Sequence, residues 1–266
     1  MKPLAVVSIG AALYSALLVL VRWSASYHTE PRAFAMNPMS LRPVPKIAYV
    51  YTDNASMPGI RRFAELNPEF DVRIHSPTEA REFMQAHCPG AVAAFDALKP
   101  QAFKSDVFRY CALTATGGVY IDDDLLFHTS IDEISAGNRG KLLLIEDGND
   151  FGAFPPRVIR HRIWNAFMIA RESGSRILAC ALITSVKNVR VRNVYVGALE
   201  LTGPEVVYNC LRHADDAKII GFYEADLGIG AFLWHGRRIP FVSHRRVKRD
   251  TTRYSRGWIG HRDWFR

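Results

Sequence analysis

The stretch Phe103–Phe127, FKSDVFRYCALTATGGVYIDDDLLF, changes hydrophobic period halfway along and so reads as helix, stop, strand and acidic end. Phe103, Val107, Tyr110, Cys111 and Thr114 recur at spacings of three and four, which predicts a helix with one buried face. Asp106 and Arg109 then lie one turn apart on a neighbouring face. Gly117 and Gly118 end the helix, because a residue just past the last turn commonly needs positive φ. Val119, Tyr120 and Ile121 suit a short buried strand. Asp122, Asp123 and Asp124 follow, and three adjacent carboxylates repel one another. They are tolerable as a solvated acidic turn or as ligands of a hard divalent cation, which prefers oxygen. On an extended backbone Asp122 and Asp124 would point one way and Asp123 the other.

Working outward, strand-forming Lys46–Tyr51 (KIAYVY), the polar loop Thr52–Gly59 and amphipathic Ile60–Glu65 precede a second strand at Asp71–Ile74. A helix over Thr78–Ala86, with Thr78 as its N-cap, and another over Ala91–Leu98 lead into the central stretch. The alternation of strands and helices predicts an α/β sheet whose ligands gather at the strands' carboxyl ends. Beyond the carboxylates, Ile131–Ile134 reads as a connector and Lys141–Ile145 as a buried strand. Gly174–Val186 reads as a helix, and Glu205–Arg212 as another begun by Pro204.

The Phe103–Phe127 pattern resembles the family 32 glycosyltransferases, whose sugar-binding region carries Asp-hydrophobic-x-Arg-Tyr, then a leucine, then Gly-Gly-x-Tyr-hydrophobic-Asp-x-Asp. Here that pattern is Asp106, Val107, Arg109, Tyr110, Leu113, Gly117, Gly118, Tyr120, Ile121, Asp122 and Asp124, with Ser105 where the family has alanine. Pro45, Lys46 and Ile47 match the family's opening. Tyr49 and Thr52 depart from it, standing in place of a histidine and a tryptophan. Asn165, within RIWNAFMI, and Thr202-Gly203-Pro204 match later segments, so the likeness runs from Pro45 to about Arg212.

The resemblance implies an α/β, GT-A-like, single Rossmann-type domain that binds a nucleotide sugar, with Mn2+ or Mg2+ as cofactor. It implies Asp106, Arg109, Asp122 and Asp124 as catalytic residues. Tyr49, Tyr51, Asp106, Arg109, Tyr120, Asp123, Asn165 and Gly203 would bind substrate, and Asp122, Asp124 and His244 would hold the metal. Ser255, Trp258 and His261 are further candidates for the late ligand. The expected activity is retaining transfer of a hexose from a UDP- or GDP-sugar to a glycan or glycolipid. Two rivals stand beside it: a metal-dependent phosphoesterase, which would need ligands for a second metal that no spacing supplies, and a catalytically silent binding protein.

The chain has 266 residues and is 48% hydrophobic, enough for a sizeable core. Pro3–Val21 carries no charge over 19 residues, long enough to span a bilayer. Arg22 and the length of the apolar run argue against a cleaved signal peptide. The domain layout expected is therefore a signal anchor at 1–26, a proline-containing stem at 27–44 and a catalytic domain at 45–266. This would be a single-pass type II protein of the Golgi or secretory lumen, to which the sequon Asn54-Ala55-Ser56 also fits. Cys88, Cys111, Cys180 and Cys210 neither demand nor exclude disulfides, and no CxxC pair suggests zinc. Ten basic residues against two acidic ones in 237–266 account for the whole formal charge of +8. That basic tail is a solvated end, a neighbour of anionic lipid or a diphosphate contact; a nucleic-acid partner is not expected.

Overall fold

Nine strands form one mixed sheet in the order β2-β1-β3-β6-β5-β7-β8-β9-β4 in the computed structural model, which describes residues 42–147, 163–193, 197–211, 217–224, 229–234, 237–244 and 264–265. The strands are β1 (Ile47–Tyr51), β2 (Asp71–His75), β3 (Gly118–Ile121), β4 (Leu125–Phe127), β5 (Leu142–Asp147), β6 (Phe167–Ala170), β7 (Ala217–Glu224), β8 (Ile229–Trp234) and β9 (Arg237–His244). The helices are α1 (Pro58–Leu66), α2 (Pro77–His87), α3 (Pro89–Ala97), α4 (Gln101–Thr116), α5 (Ile131–Ser135), α6 (Arg176–Arg190), α7 (Ala198–Leu201) and α8 (Pro204–Leu211). The α/β expectation holds. β1 pairs in parallel with both β2 and β3, and β5 with β7, while β6 runs antiparallel to its neighbours β3 and β5.

Side-chain alternation in the central strands divides the core in two. Tyr49, Tyr51 and Tyr120 enter one apolar cluster with α2, α3, α4, α6 and α8. Ala48, Val50, Val119 and Ile121 enter the other, with Ile60 and Phe63 of α1 and Ile131 and Ile134 of α5. The described residues, from Arg42 onward, form one compact unit.

Helix α4 is more enclosed than its periodicity suggests. Every residue from Phe103 to Leu113 is buried, including Lys104, Ser105, Asp106 and Arg109, because the helix packs against α2, α3 and α6 as well as the sheet. Its stop is as expected: Gly117 has φ 72° and Gly118 φ 98°. A Cβ on Gly118 would sit 2.5 Å from the Ile47 carbonyl oxygen, so both the backbone angle and the close approach of β1 require glycine.

Three local expectations are corrected. The N-cap of α2 is Ser76 rather than Thr78: Ser76 accepts from the Glu79 amide and Glu79 accepts from the Ser76 amide, with Pro77 in the first turn. Ile131–Ser135 is a short helix closed by the same kind of reciprocal cap, between Ser130 and Glu133. The basic segment is not simply a solvated end. Its beginning is β9, paired with β8 and β4, and Trp264 and Phe265 are buried near the chain's end. The Lys99 amide donates to the Trp264 carbonyl over 2.9 Å, and the Trp264 ring meets Phe103 edge to face.

All four cysteines are paired, Cys88 with Cys111 and Cys180 with Cys210. The first bond ties the α2–α3 junction to α4 and the second ties α6 to α8. With partners 23 and 30 positions apart, each is worth about 3 kcal/mol by restricting the unfolded chain. Thiol reduction should therefore lower the melting temperature markedly, and the Cys88→Ala/Cys111→Ala pair should reproduce part of the fall. An unchanged melting curve under reductant would contradict the pairing.

Among the described residues, no helix is long and apolar enough to cross a membrane. The Pro3–Val21 stretch and most of the stem lie outside the described residues.

Candidate active site

The parallel strands β1 and β3 end side by side, and β2 flanks β1 on its other edge, so the sheet's strand order reverses at β1 and β3. The crevice outside the carboxyl ends of such strands is where α/β sheets bind ligands. Thr52 follows β1 there and Asp122–Asp124 follow β3.

The three carboxylates are not on extended backbone, as the alternation argument assumed. β3 stops at Ile121 and the chain turns, with the Leu125 amide 3.4 Å from the Asp122 carbonyl and the Asp122 amide donating to Ala166 over 2.9 Å. Asp122 and Asp123 nevertheless separate. Asp122 Oδ1 accepts from Arg109 Nη2 at 3.1 Å and from the Tyr120 hydroxyl at 2.8 Å, and its side chain keeps 30% exposure. Asp123 Oδ2 accepts from the Thr52 hydroxyl. Burial raises the Asp123 pKa, with the Thr52 bond opposing and Asp122 adding to the rise.

Arg109 is the hub. Its side chain is 4% exposed and every guanidinium nitrogen donates within the protein: Nε to the Ser105 carbonyl at 3.2 Å, Nη1 to the Asn165 carbonyl at 2.6 Å, and Nη2 to Ser105 Oγ at 2.6 Å and to Asp122. It also lies 3.4 Å from Asp106 Oδ1 and 4.4 Å from the Tyr120 ring centroid. Burial works against its charge, and Asp122, Tyr120 and Asp106 outweigh that, so its pKa is raised. The Asp106–Arg109 spacing is thus no helix-surface ion pair.

Asp106 is held from three sides. Oδ1 accepts from Asn165 Nδ2 at 2.8 Å and Oδ2 from the Thr202 hydroxyl at 2.9 Å. Burial pushes its pKa up to about 6, against the opposing pull of Arg109, Thr202 and Asn165. The Tyr110 hydroxyl accepts from Asn165 at 3.1 Å and donates to the Thr202 carbonyl at 2.8 Å, with Gly203 O at 3.2 Å. Helix α4, the strand end before β6 and the Thr202–Gly203 turn are therefore joined by one buried polar network.

Because the Thr202 bond lowers the Asp106 pKa, Thr202→Val should raise it further. If turnover needs the ionised carboxylate, the acidic limb of the pH–rate profile lies near pH 6 and moves upward in this variant. An unmoved limb would separate Asp106 ionisation from turnover.

The structure brings Asp106, Arg109, Tyr120, Asp122, Asp123, Asn165 and Gly203 together. It does not bring Tyr49 to them as an exposed surface. Tyr49 is fully buried, bonded to Thr116 Oγ1 at 2.9 Å and packed edge to face on Phe83 and Phe108. Tyr51 also fills the core beside Phe95 and Phe108, its hydroxyl donating to Gln101. Strand packing accounts for the placement of both tyrosines.

His244 stands opposite Leu125 in the β4–β9 register, so the backbone of the late histidine pairs one residue beyond Asp124. Ser255, Trp258 and His261 lie outside the described residues. Ser105, Tyr110, Thr202 and Thr52 were not singled out from sequence as site residues; the signal available was their place within, or beside, the matched motifs. Among the described residues no three His, Cys, Asp or Glu side chains converge as a metal cage.

Residues 45–141 match the family model described as the glycosyltransferase sugar-binding region containing DXD motif. No curated protein matches the chain. Among solved structures, the PaToxG glycosyltransferase is similar at 18% identity and TM-score 0.46, over 64% of this chain and 69% of that one. The UDP-bound glycosyltransferase domain from the YGT toxin is similar at 13% identity and TM-score 0.34, over 55% and 52%. Residues 45–141, which contain Asp106, Arg109 and Asp122–Asp124, are thus similar to the DXD-containing sugar-binding region of glycosyltransferases.

Proposed function

We propose that this chain transfers a hexose from a UDP- or GDP-sugar to a glycan or glycolipid acceptor, with retention of anomeric configuration and with Mn2+ or Mg2+ as cofactor. The observation that carries the reading is the network in which buried Asp106 and Arg109 hold part-exposed Asp122 at the carboxyl end of β3.

The residues present fit a hard divalent cation. Asp122 and Asp124 supply oxygen donors at a strand-end crevice, Asp122 is part-exposed, and Mg2+ in particular is commonly held by one or two carboxylates with the substrate's phosphates and water completing its shell. His244, whose backbone pairs beside this turn, is a candidate for the remaining position. When bound, the cation stabilises the leaving diphosphate as a Lewis acid.

The protein's own residues do the rest. Arg109 fixes one oxygen of Asp122 and so sets the orientation of that carboxylate, while keeping Asp106 charged against its buried surroundings. In this reading Asp106, bonded to Asn165 and Thr202, accepts hydrogen bonds from hydroxyls of the sugar. Four paired cysteines in one chain suit an oxidising compartment, which supports the secretory lumen and a type II topology with the Pro3–Val21 stretch as membrane anchor.

The experiment is nucleoside diphosphate release by the full chain from UDP-glucose, UDP-galactose, UDP-N-acetylglucosamine and GDP-mannose, with and without Mn2+. Metal-dependent release from one donor supports the reading. Hydrolysis of a generic phosphodiester with every sugar donor left intact would favour the phosphoesterase instead.

A further inference from the structure

The middle carboxylate of the acidic turn has a place of its own. Asp123 does not join Arg109; its Oδ2 takes the Thr52 hydroxyl from the loop after β1. Thr52 is itself fixed, with 9% exposure. Its amide donates to the His75 carbonyl at the end of β2 over 3.0 Å, and its Oγ1 also accepts from the Asn54 amide over 3.0 Å. The strand ends of β1 and β2 and the acidic turn are thereby linked through one residue, Thr52, by its amide and its hydroxyl.

A second contact presses the same loop onto the same turn. Gly59, in the first turn of α1, faces the backbone of the turn so closely that a Cβ there would stand 1.9 Å from the Leu125 carbonyl oxygen and 3.3 Å from the Asp123 carbonyl oxygen. Both neighbours are backbone, so no side-chain rearrangement relieves the clash. The turn is therefore clamped between Arg109 on one side, through Asp122, and Thr52 with Gly59 on the other.

We infer that Thr52 is a positioning residue: by holding Asp123 against the β1–α1 loop, it turns the acidic triplet so that Asp122 and Asp124 are presented together to a divalent cation, and Asp123 serves that orientation rather than binding substrate. The inference rests on the metal-binding reading of Asp122 and Asp124. It also gives the middle aspartate and the threonine at the family's tryptophan position a joint role. Groups that orient metal ligands typically change metal affinity by roughly 10- to 100-fold when removed.

The test uses the full chain and two readouts, Mn2+ affinity by calorimetry and the Mn2+ concentration for half-maximal nucleoside diphosphate release. Thr52→Val keeps the shape and loses the hydroxyl, and should weaken Mn2+ by roughly tenfold on both. Thr52→Ser should restore both to within about twofold, since it returns the donor. Gly59→Ala should weaken Mn2+ at least as much as Thr52→Val.

A merely structural role would lower the melting temperature of Thr52→Val while leaving its Mn2+ affinity equal to wild type, and that result overturns the inference. If the wild type binds Mn2+ but releases no nucleoside diphosphate, the proposed activity fails, while the calorimetric comparison of Thr52→Val and Thr52→Ser still decides the role of Thr52. A wild type that binds no Mn2+ at all, with or without UDP present, overturns both.

Discussion

Arg109→Met is expected to lower stability by about 3–5 kcal/mol, because it leaves Asp106 and part-buried Asp122 without their shared cation. Donor turnover should fall with it by roughly 100-fold or more, the range seen when one preorganised electrostatic partner is removed from an active site. Melting curves and nucleoside diphosphate release at saturating donor measure the two effects. The reasoning depends on burial: the same pair on an exposed helix face would contribute less than about 1 kcal/mol. Arg109→Lys should recover little, since a single ammonium cannot reach Ser105, the Asn165 carbonyl and Asp122 together. A wild-type melting temperature in Arg109→Met would mean that the network does not hold the fold as described.

Asp122→Ala/Asp124→Ala has the second large effect, and its signature is the reverse. Stability should change by only a few degrees in melting temperature, because both acids lie on a turn outside the two apolar clusters and Arg109 retains Asp106, Ser105 and Asn165 as partners. Activity should fall by at least about 1,000-fold, and the remainder should no longer respond to Mn2+, since the cation's charge stabilisation of the leaving group is lost. Calorimetry with Mn2+ and UDP separates this from unfolding: a folded double variant should give no metal-dependent heat. Retained Mn2+ dependence would move the metal ligands elsewhere, with His244 the first residue to examine.

The contrast between these variants follows the division between what was readable in the chain and what was not. The period change at Gly117–Gly118 located helix α4, the buried strand β3 and the acidic end, because helix stops and strand alternation are local physics. Asp106, Arg109, Asp122 and Asn165 were singled out by the resemblance to the family motif, and the structure joins them in one network. Their arrangement was not legible in the sequence. That Arg109 reaches Asn165 across 56 residues and that Thr202 meets Asp106 across 96 are long-range contacts that no local pattern encodes.

Two errors have a common source. Alternation along an assumed extended backbone placed the three acids, but the chain turns at Asp122, so the separation of Asp122 from Asp123 comes from their partners and not from strand geometry. The 237–266 segment was judged by charge, yet its first residues form β9, and pairing with β4 brings that strand back beside the acidic turn. Disulfide connectivity was open for a simpler reason: four cysteines permit three pairings, and only the fold selects Cys88–Cys111 and Cys180–Cys210.

In the proposed reaction this crevice moves a sugar off a nucleotide with help from a divalent cation. Proton NMR of the sugar's anomeric signal, followed during incubation of the full chain with each nucleotide sugar, tests it most directly. One donor should be consumed only with Mn2+ or Mg2+ present, the first-formed product should keep the donor's anomeric configuration, and Asp122→Ala/Asp124→Ala should abolish the change. Donor signals that stay constant with metal present, while the same folded protein cleaves a simple phosphodiester, would contradict it.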